Sequence, residues 1–223
     1  MRRPRALDRS PEGARRRREG SIRVGAVPVF STWIYECAEG PAHLNRRLER
    51  LAHELMKDEA NATIRTNQGG WHYAHDLFQL DIPVVTEYHD QMEQHVQAFL
   101  NHLRRGRRGR DSFQLQGWIN VNRVGDTNRL HSHPGSFLSA AYYVKVPPRM
   151  KGGALVFRDP RGPAVAMYET PGIELPWVGS GLGIPFEPAP GKLLLFPSWL
   201  EHQVEPFEGP GERISISFNV TNP

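Results

Sequence analysis

With one cysteine in 223 residues, an internal disulfide framework is excluded, and Cys37 reads as a small buried hydrophobe. No stretch approaches the roughly 18 apolar residues of a membrane span. The basic start of the chain lacks the apolar segment of a secretory signal. The body of the chain also lacks excess charge. Of the net +4, positions 1–20 contribute eight arginines against Asp8, Glu12 and Glu19, which leaves the remainder at −1. No nucleic-acid partner is expected from such a body. The arginine-rich start reads as a disordered, solvated tail. No internal repeat is present, and the Gly179, Gly181, Gly183 run lacks the strand-to-helix context of a nucleotide-binding turn. The expected organisation is a tail over 1–20 and a single domain over 21–223, cytoplasmic and without a membrane partner.

Nineteen prolines and twenty-one glycines punctuate the chain with turns. Residues 41–60 repeat Leu44, Leu48, Leu51 and Leu55 at helical spacing. Residues 83–104 carry a second stripe of Val85, Tyr88, Met92, Val96, Phe99 and Leu103. His89, His95 and His102 on that helix are assigned to packing or surface. From Phe113 the period changes to two, and strands are expected at 113–122, 136–146, 153–158, 192–196, 202–206 and 213–220. One or two short strands are expected within 21–35, loops at 66–71 and 104–110, and a lid at 171–190. Two helices followed by many short strands imply a mainly β fold, a sandwich or barrel backed by the helices.

His131 and His133 are two apart, a spacing that points side chains to one side of a strand. His202 follows about seventy residues later, and Arg213 and Ser215 follow it. Imidazole suits iron, zinc, copper and nickel, so three converging histidines would hold a transition metal with open positions. The downstream arginine supplies a fixed cation for an acidic co-substrate. Asp126 is a candidate carboxylate for the same site, and Glu201 is expected to face away from it. Asn120 and Asn122 share a strand face with Trp118 and are candidates to line the pocket.

The order of these motifs resembles the double-stranded β-helix (jelly-roll, cupin-like) oxygenases that use iron and 2-oxoglutarate, and within them a bacterial and phage group of 2OG-Fe(II) oxygenases. The matching phrases are Gly70-Trp71-His72, Trp118-Ile119-Asn120, Gly125-Asp126, His131-Ser132-His133-Pro134, Ser139-Ala140-Ala141-Tyr142-Tyr143, Arg158-Asp159-Pro160-Arg161, Leu195-Phe196-Pro197-Ser198-Trp199 with His202, and Arg213-Ile214-Ser215-Ile216-Ser217-Phe218-Asn219. The resemblance implies that His131 and His202 ligate Fe(II). His133 stands where the wider superfamily carries a carboxylate. It implies that Arg213 pairs with the far carboxylate of 2-oxoglutarate, with Ser215, Tyr143 and Asn120 beside it. The implied reaction consumes O2, hydroxylates a small molecule or peptide, and yields succinate and CO2. Homodimers are common in this fold. Glu169, Glu174 and Glu187 near the lid tilt the expected substrate toward a basic one. Two other readings remain open on sequence: a cupin-like three-histidine dioxygenase or isomerase that does not use 2-oxoglutarate, and a non-catalytic binding protein.

Overall fold

The computed structural model describes residues 31–104, 109, 111–162 and 183–222. The tail at 1–20, the strand expected before residue 31, most of the basic run at 104–110 and most of the lid at 171–190 lie outside the described residues. Thr32–Pro223 forms one compact unit. Its strands are β1 (Tyr35–Cys37), β2 (Asn67–Gln68), β3 (Trp71–His72), β4 (Gln114–Asn122), β5 (Thr127–His131), β6 (Leu138–Lys145), β7 (Lys151–Gly152), β8 (Leu155–Arg158), β9 (Gly183–Phe186), β10 (Leu193–Pro197), β11 (His202–Val204), β12 (Phe207–Glu208) and β13 (Arg213–Thr221). The helices are α1 (Ala42–Leu55) and α2 (Pro83–Leu103).

The strands form a six-stranded sheet in the order β1-β10-β6-β13-β4-β3 and a five-stranded sheet in the order β2-β5-β11-β8-β9, with β7 and β12 as a separate pair. Every named pairing is antiparallel. From β4 onward the chain crosses between the two large sheets, apart from the consecutive β8 and β9. That winding is a double-stranded β-helix, the mainly β fold expected from the sequence.

The helices cover the outer face of the larger sheet. Leu44, Leu48 and Ala52 of α1 and Val85, Tyr88, Met92, Val96 and Phe99 of α2 are buried there. They meet Ile119, Ile214, Ile216, Phe218 and Val220 from β4 and β13. Burying each large apolar side chain stabilises the fold by about 1.5–3 kcal/mol. Pro83 opens α2, where its fixed φ and missing N–H cost nothing. Leu103 ends the stripe exposed rather than packed, because it is the last residue of the helix and lies past the sheet. The Gly40 N–H donates to the Gly191 carbonyl at 3.0 Å. A Cβ on Gly40 would lie 2.6 Å from the Gly191 Cα, so only glycine lets these two backbones touch.

Alternation along β4 and β13 sends their apolar residues to the helices and their polar residues inward. Asn120, Asn122, Arg213 and Ser215 are all buried. A strand pair with one apolar and one polar face normally shows the polar face to water. Here the polar face looks at the second sheet, and that inversion makes the interior a site rather than a core. No helix among the described residues is long and apolar enough to cross a membrane.

Candidate active site

His131 is the last residue of β5 and lies opposite His202, the first residue of β11, as a cross-strand pair. His133 does not share their sheet. It lies just past β5, where its backbone N–H donates to the Ser198 carbonyl at 2.9 Å. The expectation of two histidines on one strand is therefore corrected, because the chain leaves the sheet between them. The rings converge all the same. Ring centroids are 4.3 Å apart for His131 and His202, 5.0 Å for His131 and His133, and 5.1 Å for His133 and His202. One ligand nitrogen from each lies within 4.8 Å of the other two.

The local backbone sets which nitrogen each ring presents. His131 Nδ1 is 2.6 Å from the Arg129 carbonyl, and His202 Nδ1 is 2.9 Å from the Leu200 carbonyl. A carbonyl only accepts, so both Nδ1 atoms carry the proton and both Nε2 atoms keep a free lone pair. His133 is held by stacking instead, between Trp118 at 5.7 Å and the nearly parallel His202 ring. Burial, followed by the charge on His131, pushes the His133 pKa down to about 4. Burial likewise takes His202 down to about 3, and His131 is also lowered. All three rings are neutral at neutral pH, the form that binds metal.

These shifts carry a stability consequence for the metal-free protein. Each ring takes up a proton more readily unfolded, at an ordinary 6.5, than folded. Stability is therefore full above about pH 6.5 and is lost as the pH falls toward 4 for His133 and 3 for His202. Urea unfolding at pH 7.5 and pH 5 should differ by roughly 2 kcal/mol for each of His133 and His202. The double substitution His133→Asn, His202→Asn should flatten that slope, and an unchanged slope would refute the assignment.

Among the described residues no carboxylate joins the three imidazoles. Asp126, a candidate for that place, instead accepts the Arg123 N–H at 2.6 Å and closes a turn against Gly69. Glu201 points outward to Arg158 at 3.3 Å, as expected. Two other groups could chelate on geometry alone, Glu49 with His53 and Glu212, and His89 with Asp90 and Glu93. The first is already neutralised by Lys145, 2.7 Å from Glu49. The second lies on one helix, outside the cavity.

Arg213, first residue of β13, is 1% exposed. Its Nη1 donates to the Gly153 carbonyl at 2.7 Å and its Nη2 to Asn122 Oδ1 at 3.0 Å. Its Nε has no partner. Burial lowers its pKa, yet a guanidinium stays charged in a protein. Asp126 attracts it without a hydrogen bond, and a buried cation hydrogen-bonded only to neutral acceptors is costly unless an anion completes the site. Beside it Asn120, Ser215 and Tyr143 stand in register across β4, β13 and β6. Burial raises the Tyr143 hydroxyl to about 12, so it stays protonated and able to donate. Asn120 is engaged already: its Oδ1 pairs with His72 Nδ1 at 2.8 Å and its Nδ2 donates to Ser217 Oγ at 3.3 Å.

One cavity of about 590 Å³ is lined by all of these residues, the three histidines included. Three neutral imidazoles whose nitrogens converge, with His133 Nε2 and His202 Nε2 3.2 Å apart, fit a divalent transition ion. A buried guanidinium with an unpartnered Nε fits the carboxylate of a keto diacid. The structure brings His131, His133, His202, Arg213, Ser215, Tyr143 and Asn120, all singled out in the sequence, to this one cavity. Sequence reasoning missed the orienting carbonyls of Arg129, Leu200 and Gly153, which have no side-chain signature. It assigned no particular contact to the side chains of Trp118 and His72, although both stood in recognised motifs.

Fold and site define the class as a 2-oxoglutarate-dependent non-haem iron oxygenase. Residues 116–219 match the family described as "Putative 2OG-Fe(II) oxygenase". Fe(II), 2-oxoglutarate and O2 are the cofactor and co-substrates of that family. Among solved structures, the chain is similar to a Pseudomonas putida prolyl-4-hydroxylase, with TM-score 0.61 and 20% identity over 86% of this chain and 94% of that one. A Trichoplax adhaerens prolyl hydroxylase, in complex with a peptide of the hypoxia inducible factor oxygen degradation domain, matches with TM-score 0.55 and 15% identity over 85% and 83%. HygX from Streptomyces hygroscopicus, with nickel and 2-oxoglutarate bound, matches with TM-score 0.58 and 10% identity over 86% and 83%. Identities this low show a common fold and leave the substrate open. No curated protein matches in sequence.

Proposed function

We propose that the protein is a hydroxylase in which His131, His133 and His202 hold Fe(II) and Arg213 anchors 2-oxoglutarate, with a small molecule or a peptide as substrate. The observation that carries this reading is the buried Arg213, whose Nε has no hydrogen-bond partner, in one cavity with three converging imidazoles. The rigid fork of the guanidinium suits a carboxylate at the far end of the co-substrate. Ser215 and Tyr143 supply hydroxyl donors beside it. When bound, Fe(II) and 2-oxoglutarate supply the chemistry by which O2 delivers one oxygen atom to a substrate C–H bond and the other to succinate, with release of CO2.

The remaining work falls to the chain. Neutral imidazoles leave the full +2 on the metal, which the co-substrate dianion then balances. Phe196 packs 4.8 Å from His202, and with Phe157 and Leu200 it forms an apolar wall that keeps water from that ring. A peptide substrate is supported by the peptide seen with the Trichoplax enzyme, a statement about that protein. Anaerobic addition of Fe(II) and 2-oxoglutarate should develop a weak visible charge-transfer band, and admission of air should yield succinate. Absence of both would remove the reading.

A further inference from the structure

The cavity is larger than one five-carbon diacid needs. Its lining includes a second polar group, away from Arg213, that the co-substrate reading leaves unused. Residues 63–66 run from the edge of the larger sheet to the edge of the smaller one. At one end the Thr63 N–H donates to the His72 carbonyl, and at the other the Arg129 N–H donates to the Thr66 carbonyl, both at 3.0 Å. Arg65 sits between these two anchors and lines the cavity, with its own N–H fixed by Asn67 Oδ1 at 2.7 Å. Among the described residues its guanidinium has no carboxylate partner. Asp76 lines the same region, but its Oδ1 already accepts the N–H groups of Phe78 and Gly117.

His72 is buried in this arm. Asn120 Nδ2 donates to Ser217, so Asn120 Oδ1 is the acceptor toward His72 and the His72 proton sits on Nδ1. The His72 Nε2 is left as a bare acceptor. Burial first, then Arg65, lowers the pKa of the ring and keeps it neutral. Trp118 lies between this ring and the metal end, 5.8 Å from His72 and 5.7 Å from His133. The arm thus offers one cation, one hydrogen-bond acceptor and one aromatic face beside a metal ligand.

We infer that Arg65 and His72 select the substrate, and that it is an organic acid whose carboxylate meets Arg65 and whose amide N–H or hydroxyl is accepted by His72 Nε2. This inference rests on the proposed function and adds the substrate class to it. It reverses the sequence-based tilt toward a basic substrate, which rested on Glu169 and Glu174, outside the described residues, and on Glu187. The substrate class covers N-acylated amino acids and the C-terminal ends of short peptides.

The test uses full-length protein loaded with Zn(II) and saturated with 2-oxoglutarate, which keeps Arg213 occupied. The probes are N-acetyl amino acids and their matched C-terminal carboxamides, titrated by ligand-observed NMR. The acids are expected to bind about tenfold more tightly than the amides. Arg65→Met should erase that preference and Arg65→Lys should restore part of it. His72→Phe should weaken acids and amides alike by about tenfold. Both Arg65 variants should keep wild-type affinity for 2-oxoglutarate. Equal binding of acids and amides by the wild type, or no binding of either while 2-oxoglutarate still binds, would overturn the inference and leave the proposed function standing. Failure of the wild type to bind 2-oxoglutarate at all would instead defeat the proposed function.

Discussion

Arg213→Met is expected to abolish 2-oxoglutarate binding while leaving the fold in place. The side chain is 1% exposed and its guanidinium hydrogen-bonds only to two neutral acceptors, with Asp126 attracting it without a hydrogen bond, so an incoming carboxylate is the first anion it would pair with directly. Breaking such a buried pair costs about 3–5 kcal/mol, or roughly two to three and a half orders of magnitude in affinity. The substitution also leaves Asn122 Oδ1 and the Gly153 carbonyl without a donor, at about 1–3 kcal/mol each. Removing a desolvated cation offsets that loss, so the melting temperature of the ligand-free protein should change little. The check is the thermal shift that 2-oxoglutarate produces in Zn(II)-loaded protein, which follows ligand concentration in the wild type and should vanish in the variant. Arg213→Lys, which keeps the charge and loses the fork, should fall between. An undiminished shift in Arg213→Met would favour a three-histidine enzyme that works without this co-substrate.

His202→Ala should have an effect of similar size at the metal end. His202 is the most buried of the three rings, and its Nδ1 is tied to the Leu200 carbonyl. Losing a partner that merely orients a ligand costs about 10–100-fold in metal affinity, so losing the ligand itself should cost more than about 100-fold. Titration with Co(II), followed by its visible absorption, measures this without any turnover. The neighbouring Glu201→Ala is the control, since that side chain reaches outward to Arg158 and should leave Co(II) affinity unchanged. Equal Co(II) binding by both variants would show that the rings do not form the metal site.

The strands legible in the sequence were those with apolar alternation or a short, largely apolar run. β4, β6, β8, β10 and β13 begin and end within about two residues of expectation. β5 takes no bounds from periodicity, although His131 was expected on a strand, because Thr127-Asn128-Arg129-Leu130-His131 has no apolar alternation and none of it is buried. Backbone pairing to β2 and β11 makes it a strand, and side-chain periodicity does not report such pairing. β2 and β3 are two residues each, too short for any period to show. Period also says which residues share a face, without saying which face is enclosed. The inward Asn120, Asn122 and Ser215 therefore look like ordinary solvent-facing residues until the second sheet covers them. Trp199, a large aromatic in a recognised motif, is 57% exposed, since it lies in the turn before β11 where Leu200 takes the buried position. The site residues were legible because histidine and arginine declare their chemistry, while the carbonyls that fix their tautomers belong to the backbone.

The cross-strand pairing of His131 with His202 has a consequence for how the chain holds together. His133 and His202 are 69 positions apart, and β6, β8, β9 and β10 all lie in the span between them. An ion gripped by both would act as a rivet through that long excursion, tethering its two ends much as a sulfur bridge tethers a secreted domain. A polypeptide with a single thiol has no bridge of its own to form. Loading with metal would then be an act of assembly as well as of activation.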